Sequence, residues 1–182
     1  MNSKAKGSAF ERHCCKSLSL WISHGARDDL FWRSAMSGGR ASVQFKKGKP
    51  NRTQTGDITA IDPLGDPLTS RFLIECKFYA DLKLSALYTD AEKAGLAGFW
   101  RKCEQQARQH SKFPMLIAKQ NRTPTLIGLD RVGLLNLRLE NRVVANFPRL
   151  GVYILWYQDF LLHAEQPDVS IWNENPHAEQ PC

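Results

Sequence analysis

Apolar side chains recur at helical spacing over residues 5–24. The stripe that they form consists of Phe10, Cys14, Leu18, Trp21 and Ile22. Since residues three or four positions apart share one face of a helix, the pattern predicts an amphipathic first helix. Glu11 lies at the edge of this stripe, where the ordinary explanation for an acid is a surface ion pair with a lysine such as Lys16.

Shorter apolar runs predict strands in the next part of the chain. Residues 30–33 predict a short strand, which leads into a turn over 34–39 because its two glycines permit tight backbone geometry. Residues 57–61 and 71–78 have the apolar, β-branched and aromatic content of two further strands. The segment 62–67 between them is rich in Asp, Pro and Gly, so we expect a turn and an antiparallel hairpin.

Alternation within the second of these strands separates its two faces. Because successive side chains of a strand point to opposite sides, Leu73, Glu75 and Lys77 share one face. We therefore expect Glu75 and Lys77 to point the same way.

A second long helix is predicted over residues 89–111, weakened by its glycines at 95 and 98. Gln106 lies near the apolar stripe of this helix. Compact apolar strands follow at 114–118 and 126–129. Beyond residue 130 the chain becomes rich in leucine and aromatic residues.

This order of elements predicts an α/β fold with a central mixed sheet flanked by the two long helices. At 182 residues the chain can form one domain with a buried core but not two ordinary domains. We expect a single domain over residues 1–164 and a loosely ordered tail over 165–182.

Composition excludes several classes of protein. Hydrophobic residues make up 42% and charged residues 24%, as in folded globular proteins, which excludes disordered and collagen-like chains. No apolar run approaches the roughly 20 residues that span a bilayer, and no signal peptide is recognisable, so we expect a cytoplasmic protein without membrane contact. The five cysteines are odd in number and form no CxxC pair, which indicates reduced thiols and argues against a zinc site.

The net charge of +7 favours polyanions, and nucleic acid is the commonest polyanionic partner, although such a charge also serves solubility. Much of the positive charge falls in a polar segment over residues 40–56. This segment is predicted to be a phosphate-binding loop, with its basic side chains at Arg40, Lys46, Lys47, Lys49 and Arg52.

Asp57, Glu75 and Lys77 are the candidate catalytic group. Phosphodiester cleavage needs a metal ion that neutralises phosphate charge and a group that positions the attacking water. Magnesium prefers one or two carboxylates with water and substrate oxygens, which Asp57 and Glu75 can provide, while Lys77 can hold the water. The alternative is a surface ion pair along an edge strand. The apolar residues before Glu75 favour a site, since they would bury the strand in a core.

These residues resemble the PD-(D/E)xK nuclease superfamily, whose members pair an Asp with a downstream Asp/Glu-x-Lys. Within it, the chain is most similar to archaeal-type Holliday junction resolvases and related phage nucleases over about residues 4–130. That likeness rests on the acid Glu11 in the first helix, the Ser-Gly-Gly turn at 37–39, and the glutamines ahead of the Pro-started strand at 114. The chain departs from the pattern at Gly56, where Pro is usual, and in the longer basic loop.

The resemblance implies a restriction-endonuclease-like fold and a set of roles. Asp57 and Glu75 would ligate Mg²⁺ or Mn²⁺, and the Cys76 carbonyl would add a ligand. Lys77 would orient the nucleophilic water, and Glu11 would bind metal or water, in place of its ordinary surface role. Gln106 and Ser37 would lie near the substrate phosphate, with Gln105 an equally reachable alternative to Gln106.

The sequence as a whole therefore predicts a metal-dependent DNA endonuclease, with branched DNA as the expected substrate and no small-molecule cofactor. Resolvases of this type place two opposed nicks, which favours a homodimer, and the leucine-rich part after residue 130 offers apolar surface for it. Two alternatives remain: a restriction-like or repair nuclease on duplex, flap or single-stranded DNA, and a basic DNA-binding protein that does not cut.

Overall fold

The computed structural model describes residues 3–34, 55–84, 86 and 95–167. These residues form helices flanking two sheets. The helices are α1 (Ser3–Ile22), α2 (Asp66–Arg71), α3 (Gly95–Gln109), α4 (Arg131–Asn136) and α5 (Tyr157–His163). Short 3₁₀ turns lie at Pro63–Gly65, Glu140–Arg142 and Pro148–Leu150. No helix in this described part is both long and apolar enough to cross a membrane.

The larger sheet is mixed. A separate two-stranded ladder joins β1 (Phe31–Arg33) and β2 (Ile58–Ala60) in antiparallel orientation. The five-stranded sheet comprises β3 (Phe72–Tyr79), β4 (Phe113–Gln120), β5 (Leu126–Leu129), β6 (Ala145–Phe147) and β7 (Val152–Trp156), in the order β3-β4-β5-β7-β6. Strands β3 and β4 are parallel and the other pairs are antiparallel. The predicted mixed α/β fold is confirmed.

Strand alternation divides the core into two layers. Ile74 and Cys76 face the layer that contains the apolar stripe of α1, whose Phe10, Cys14, Leu18 and Ile22 are at most 5% exposed. Leu73 faces the layer that contains Trp100 and Cys103 of α3. Strand β3 is therefore covered on both faces, and the sequence-based prediction of the first helix and its buried stripe is confirmed.

The predicted antiparallel hairpin of residues 57–61 and 71–78 is wrong. The segment 62–67 does not turn the chain back but begins a 3₁₀ turn and then α2. Strand β2 pairs with β1 instead, and the bridge from Gly56 to Ile74 of β3 is parallel. Asp62 caps the first of these helices by accepting from the Leu64 amide, and a proline lies in the first turn of each. Asp and Pro favour helix starts as well as turns. The composition of segment 62–67 alone therefore did not distinguish a hairpin turn from the start of a helix.

The leucine-rich segment after residue 130 contributes mainly to the chain's own core. Leu134, Leu137 and Leu139 are at most 4% exposed, whereas Val132 and Leu135 of α4 remain exposed. The apolar surface available for a two-fold contact is therefore smaller than the sequence pattern indicated.

The start of the predicted tail is held by contacts. The Glu165 amide donates to the Leu137 carbonyl, and the Gln166 amide side chain donates to the carbonyls of Trp21 and Ile22. Residues 168–182 lie outside the described part of the chain.

Candidate functional site

The segment before β2 reaches β3 through an unusually close backbone contact. Gly56 forms an isolated parallel bridge with Ile74, and the Asp57 amide donates to the Ile74 carbonyl at 2.8 Å. Gly56 has φ +83°, and a Cβ built on it would lie 2.6 Å from the Ile74 carbonyl oxygen. Only glycine fits this path, since L side chains rarely adopt positive φ and proline is fixed near −65°. The departure at Gly56 from the usual Pro therefore has a structural cause.

We expect Gly56→Ala to unfold or strongly destabilise the protein. The left-handed conformation and the clash with Ile74 should together lower the free energy of unfolding by at least about 2 kcal/mol. Thermal melting followed by circular dichroism measures this loss. Gly98→Ala in α3 is the matched control, because its Cβ would meet nothing within 4 Å, and it should leave stability unchanged or raise it. Equal melting temperatures for the two variants would contradict the packing argument.

A buried lysine, Lys112, holds the segment that leads to Asp57. Lys112, directly before β4, is 5% exposed, and its ammonium donates to Thr55 Oγ1 at 2.8 Å and to the Thr69 carbonyl at 2.5 Å. Burial lowers the pKa of Lys112 to about 8. Because Thr55 lies two residues before Asp57, these hydrogen bonds tie the approach to Asp57 to both α2 and β4.

Asp57, Glu75 and Lys77 meet at the edge of β3. The ammonium of Lys77 lies 3.0 Å from Asp57 Oδ2 and 2.5 Å from Glu75 Oε2. Asp57 Oδ2 also accepts from the Cys76 amide at 2.8 Å. The three side chains are 10%, 15% and 24% exposed in that order, so solvent screens them only partly. The structure thus brings together the three residues that the sequence singled out, as a partly buried, open-edged group.

The electrostatics of this group favour a bound cation. Burial, followed by the negative charge of Asp57, raises the pKa of Glu75 from its ordinary 4.5 to about 7, against the opposing effect of Lys77. Burial alone would lower the pKa of Lys77, but the two carboxylates outweigh it and raise that pKa above its ordinary value. Lys77 is therefore an ammonium at neutral pH. A divalent ion between the carboxylates would relieve their repulsion.

The donor set fits a magnesium-like ion. Two carboxylates with water and substrate oxygens are the usual protein ligation of Mg²⁺. The N–H and C=O of one residue in an extended strand face the same neighbour, so the Cys76 carbonyl faces the Asp57 edge, as its amide does. Among the described residues no third His, Cys, Asp or Glu joins these carboxylates in a metal-holding group.

Glu11 lies outside this contact group. Its carboxylate, 14% exposed, forms an ion pair with the guanidinium of Arg33 in β1. This is an ion pair, as in the ordinary alternative for Glu11, but its partner is not the lysine named there, since Lys16 pairs with Asp28 at 2.8 Å. The following residue, Ser34, donates its amide to the Asp57 carbonyl at 2.9 Å, which places the Glu11 pair next to the catalytic edge.

Arg33, like Lys112, is a residue near the site that the sequence reasoning missed. The signal that could have found it is strand alternation. Because alternate residues of β1 share a face, Arg33 lies on the same side as the buried Phe31, toward α1. A cation directed at the helix that carries Glu11 would have predicted the pair. The role of Glu11 as a metal or water ligand remains a prediction.

The other predicted site residues are less closely placed. Gln105 and Gln106 are both exposed on α3, which buries Cys103 and Ala107. The predicted DNA-binding residues lie outside the described residues; they are Ser37, Arg40, Lys46, Lys47, Lys49 and Arg52.

The stability of the metal-free protein should depend on pH because the pKa of Glu75 is raised. The folded state binds more protons than the unfolded state between pH 4.5 and about 7, so its stability should fall as pH rises through this window. Melting temperatures in metal-free buffer should therefore fall more steeply for the wild type than for Glu75→Gln. Addition of Mg²⁺ or Mn²⁺ at pH 8 should reverse the fall only in the wild type.

Glu104→Gln is the control for this measurement, because Glu104 is an acid on α3 paired with Arg108. It should follow the wild-type pH profile. Parallel profiles for the wild type and Glu75→Gln, with no response to metal, would contradict the assignment of Glu75.

Comparison with known proteins adds independent findings. The family described as "Phage putative PDDEXK endonuclease" matches residues 2–150. Protein D14 of Escherichia phage T5 is 28% identical over 102 residues, which cover 55% of this chain and 64% of that protein. The aligned region thus spans less than two thirds of the length of this relative. No solved structure matches the chain.

Proposed function

Because the chain belongs to the phage PD-(D/E)xK endonuclease family, we propose that it is a nuclease and that it hydrolyses DNA phosphodiester bonds with a divalent metal ion held by Asp57 and Glu75. The observation that carries this proposal is the shared Lys77 ammonium between two partly buried carboxylates. When both carboxylates are ionised, one ammonium leaves the group with net negative charge, which a bound cation would neutralise.

The side chains have distinct roles in the proposed reaction. Asp57 and Glu75 hold the ion, and the Cys76 carbonyl supplies a further ligand. A bound Mg²⁺ or Mn²⁺ would neutralise charge on the phosphate and lower the pKa of an attacking water. Lys77 orients that water and offsets the negative charge that develops on the phosphate. Since Lys77 is protonated at neutral pH, it acts by position and charge and not as a general base.

Branched DNA is the substrate that we propose, with a Holliday junction as its leading form. The acid on the first helix, Glu11, supports this because the chain resembles resolvases in that feature, and because its partner Arg33 directly precedes Ser34, whose amide donates to the Asp57 carbonyl. In this arrangement Arg33 holds Glu11, and release of Glu11 by a phosphate that binds Arg33 would let it reach the metal site.

Two opposed nicks require two active sites, so we propose a homodimer. Val132 and Leu135 of α4 and Val144 beside the edge strand β6 are exposed apolar residues that such a contact would cover. Sedimentation equilibrium of the wild type should give twice the monomer mass, and Leu135→Glu should give the mass of the monomer.

A cleavage panel tests the proposed function. Wild-type protein and Asp57→Asn are incubated with a four-way junction, a flap, a duplex and single-stranded DNA, each with Mg²⁺, Mn²⁺ or EDTA. We expect metal-dependent nicking by the wild type alone, fastest on the junction. Faster cutting of duplex or flap would assign a restriction-like or repair role. Binding without cutting under every condition would leave a DNA-binding protein and overturn the proposal.

A further inference from the structure

An exposed tyrosine ends the row of side chains that carries the catalytic group. Leu73, Glu75, Lys77 and Tyr79 are alternate residues of β3, so they share the face of the strand that α3 covers. Exposure increases along this row, from the buried Leu73 through the half-buried Glu75 and Lys77 to Tyr79, which is 47% exposed. The row thus leaves the core at the catalytic group and reaches solvent at Tyr79.

The ring of Tyr79 is held in place by α3. It stacks on Phe99, with ring centroids 4.9 Å apart and an angle of 28° between the ring planes. Phe99 is partly buried and packs against the core layer that contains Trp100 and Cys103. This contact with α3 confirms that Tyr79 lies on the same face of β3 as Leu73. A ring fixed by packing also needs less ordering when it binds a ligand, which favours affinity.

Tyr79 follows the catalytic lysine closely. Two residues of an extended strand span about 6.6 Å, at about 3.3 Å per residue, so the backbones of Lys77 and Tyr79 are about that far apart. One strand of DNA advances about 3.4 Å per nucleotide along the helix axis. A DNA strand whose phosphate lies at Lys77 can therefore bring a nucleotide one or two positions away to Tyr79.

The chemistry of the ring favours a nucleobase as its partner. Because Phe99 covers one side of the ring, the exposed part of Tyr79 lies on the other side. Every base has a π-face, so bases of any sequence can stack on such a ring. A base must first leave its own stack, however, and this costs least in single-stranded, mismatched or damaged DNA. A ring at this position would therefore distinguish DNA structures and not DNA sequences.

From these observations we propose that Tyr79, supported by Phe99, is a specificity-determining residue whose ring stacks on one base next to the cleaved bond and favours DNA with unstacked bases. This inference rests on the proposed function and gives a physical reason for a preference for branched DNA. The ordinary alternative is that Tyr79 only covers Phe99 near the start of α3. In that case it would stabilise the fold without distinguishing one DNA from another.

DNA with a single abasic nucleotide tests the stack. The abasic nucleotide is moved over several positions on each side of the mapped cut, in the DNA that the wild type cuts fastest, and binding is measured in EDTA by fluorescence anisotropy. The wild type should lose about tenfold in affinity at one position, the scale of one base–aromatic stack. Tyr79→Ala should bind the intact DNA about tenfold more weakly and lose nothing further at that position. Tyr79→Phe keeps the ring and should follow the wild type.

Two further variants separate stacking from folding. Tyr79→Leu keeps an apolar cover over Phe99 but has no flat ring, so it should fold and still lack the position-specific loss, and it replaces Tyr79→Ala if that variant does not fold. Trp156→Ala removes an exposed aromatic residue from β7, three strands away from β3 in the sheet, and should keep the wild-type abasic profile. Identical abasic profiles for the wild type and Tyr79→Leu would overturn the inference.

The preference among DNA structures gives a second readout. The ratio of affinities for a four-way junction and for a continuous duplex, both measured in EDTA, should fall about tenfold in Tyr79→Leu, because the lost stack forms only on the junction. Tyr79→Phe should keep the wild-type ratio. An equal loss of affinity for both DNAs in Tyr79→Leu is the result expected of a purely structural residue and would overturn the inference.

Failure of this inference is distinguishable from failure of the proposed function. Wild-type protein that cuts DNA with metal, but whose abasic profile matches that of Tyr79→Leu, retains its function and loses the stack. Wild-type protein that neither binds nor cuts DNA loses both.

Discussion

Asp57→Asn is expected to abolish DNA cleavage, with a rate loss of at least about 10³-fold, while DNA binding stays unchanged or becomes slightly tighter. Among the described residues, Asp57 supplies one of the two carboxylates at the catalytic edge, so its loss removes one of the two charged ligands proposed for the metal ion. Loss of one negative charge near the phosphate relieves repulsion, which accounts for the tighter binding.

Asparagine is the better replacement here because it leaves an oxygen that accepts from the Cys76 amide. Asp57→Ala would leave that buried amide without a partner, at a cost of about 1–3 kcal/mol, and would mix instability with catalysis. Single-turnover cleavage and fluorescence anisotropy separate rate from affinity. Normal cleavage by a folded Asp57→Asn protein would remove Asp57 from the site.

Lys77→Met is expected to reduce single-turnover cleavage by about 10²-fold or more, the scale of one positioned electrostatic group. A lysine in a surface ion pair would contribute only about 0–1 kcal/mol to stability. The structure alters this expectation, because Lys77 neutralises two partly buried carboxylates. Without it the pKa of Glu75 should rise further, and the metal-free protein at pH 8 should melt earlier than the wild type.

Divalent metal should restore the melting temperature of Lys77→Met but not its cleavage rate, since the ion replaces the lost charge and not the held water. Lys16→Met is the matched control, because Lys16 pairs with Asp28 on the exposed surface. It should change neither quantity. Early melting together with wild-type cleavage would mean that Lys77 has a structural role alone.

The sequence predicted what depends on local periodicity. The buried stripe of α1 and the shared face of Glu75 and Lys77 follow from the helical and strand repeats, and the structure has both. These features depend only on residues close together in the chain, so a pattern of period 3.6 or 2 is sufficient to reveal them.

The sequence did not predict what depends on pairing between distant segments. Whether β3 runs parallel or antiparallel to its neighbour β4 is decided by α2, α3 and the core that they cover. The residues of the strand itself do not indicate its orientation. The Glu11–Arg33 pair and the hydrogen bonds of Lys112 likewise join residues at least 22 positions apart. Charged residues offer many possible partners along a chain, and only the packed fold selects one.

The left-handed backbone at Gly56 also constrains how this family could have diverged. Proline cannot adopt a φ of +83°, so a single substitution from glycine to the superfamily's usual proline would disrupt the approach to Asp57. The change requires a second, compensating alteration in the path over Ile74. For this chain, the exchange of glycine for proline at position 56 is therefore closed as a single evolutionary step.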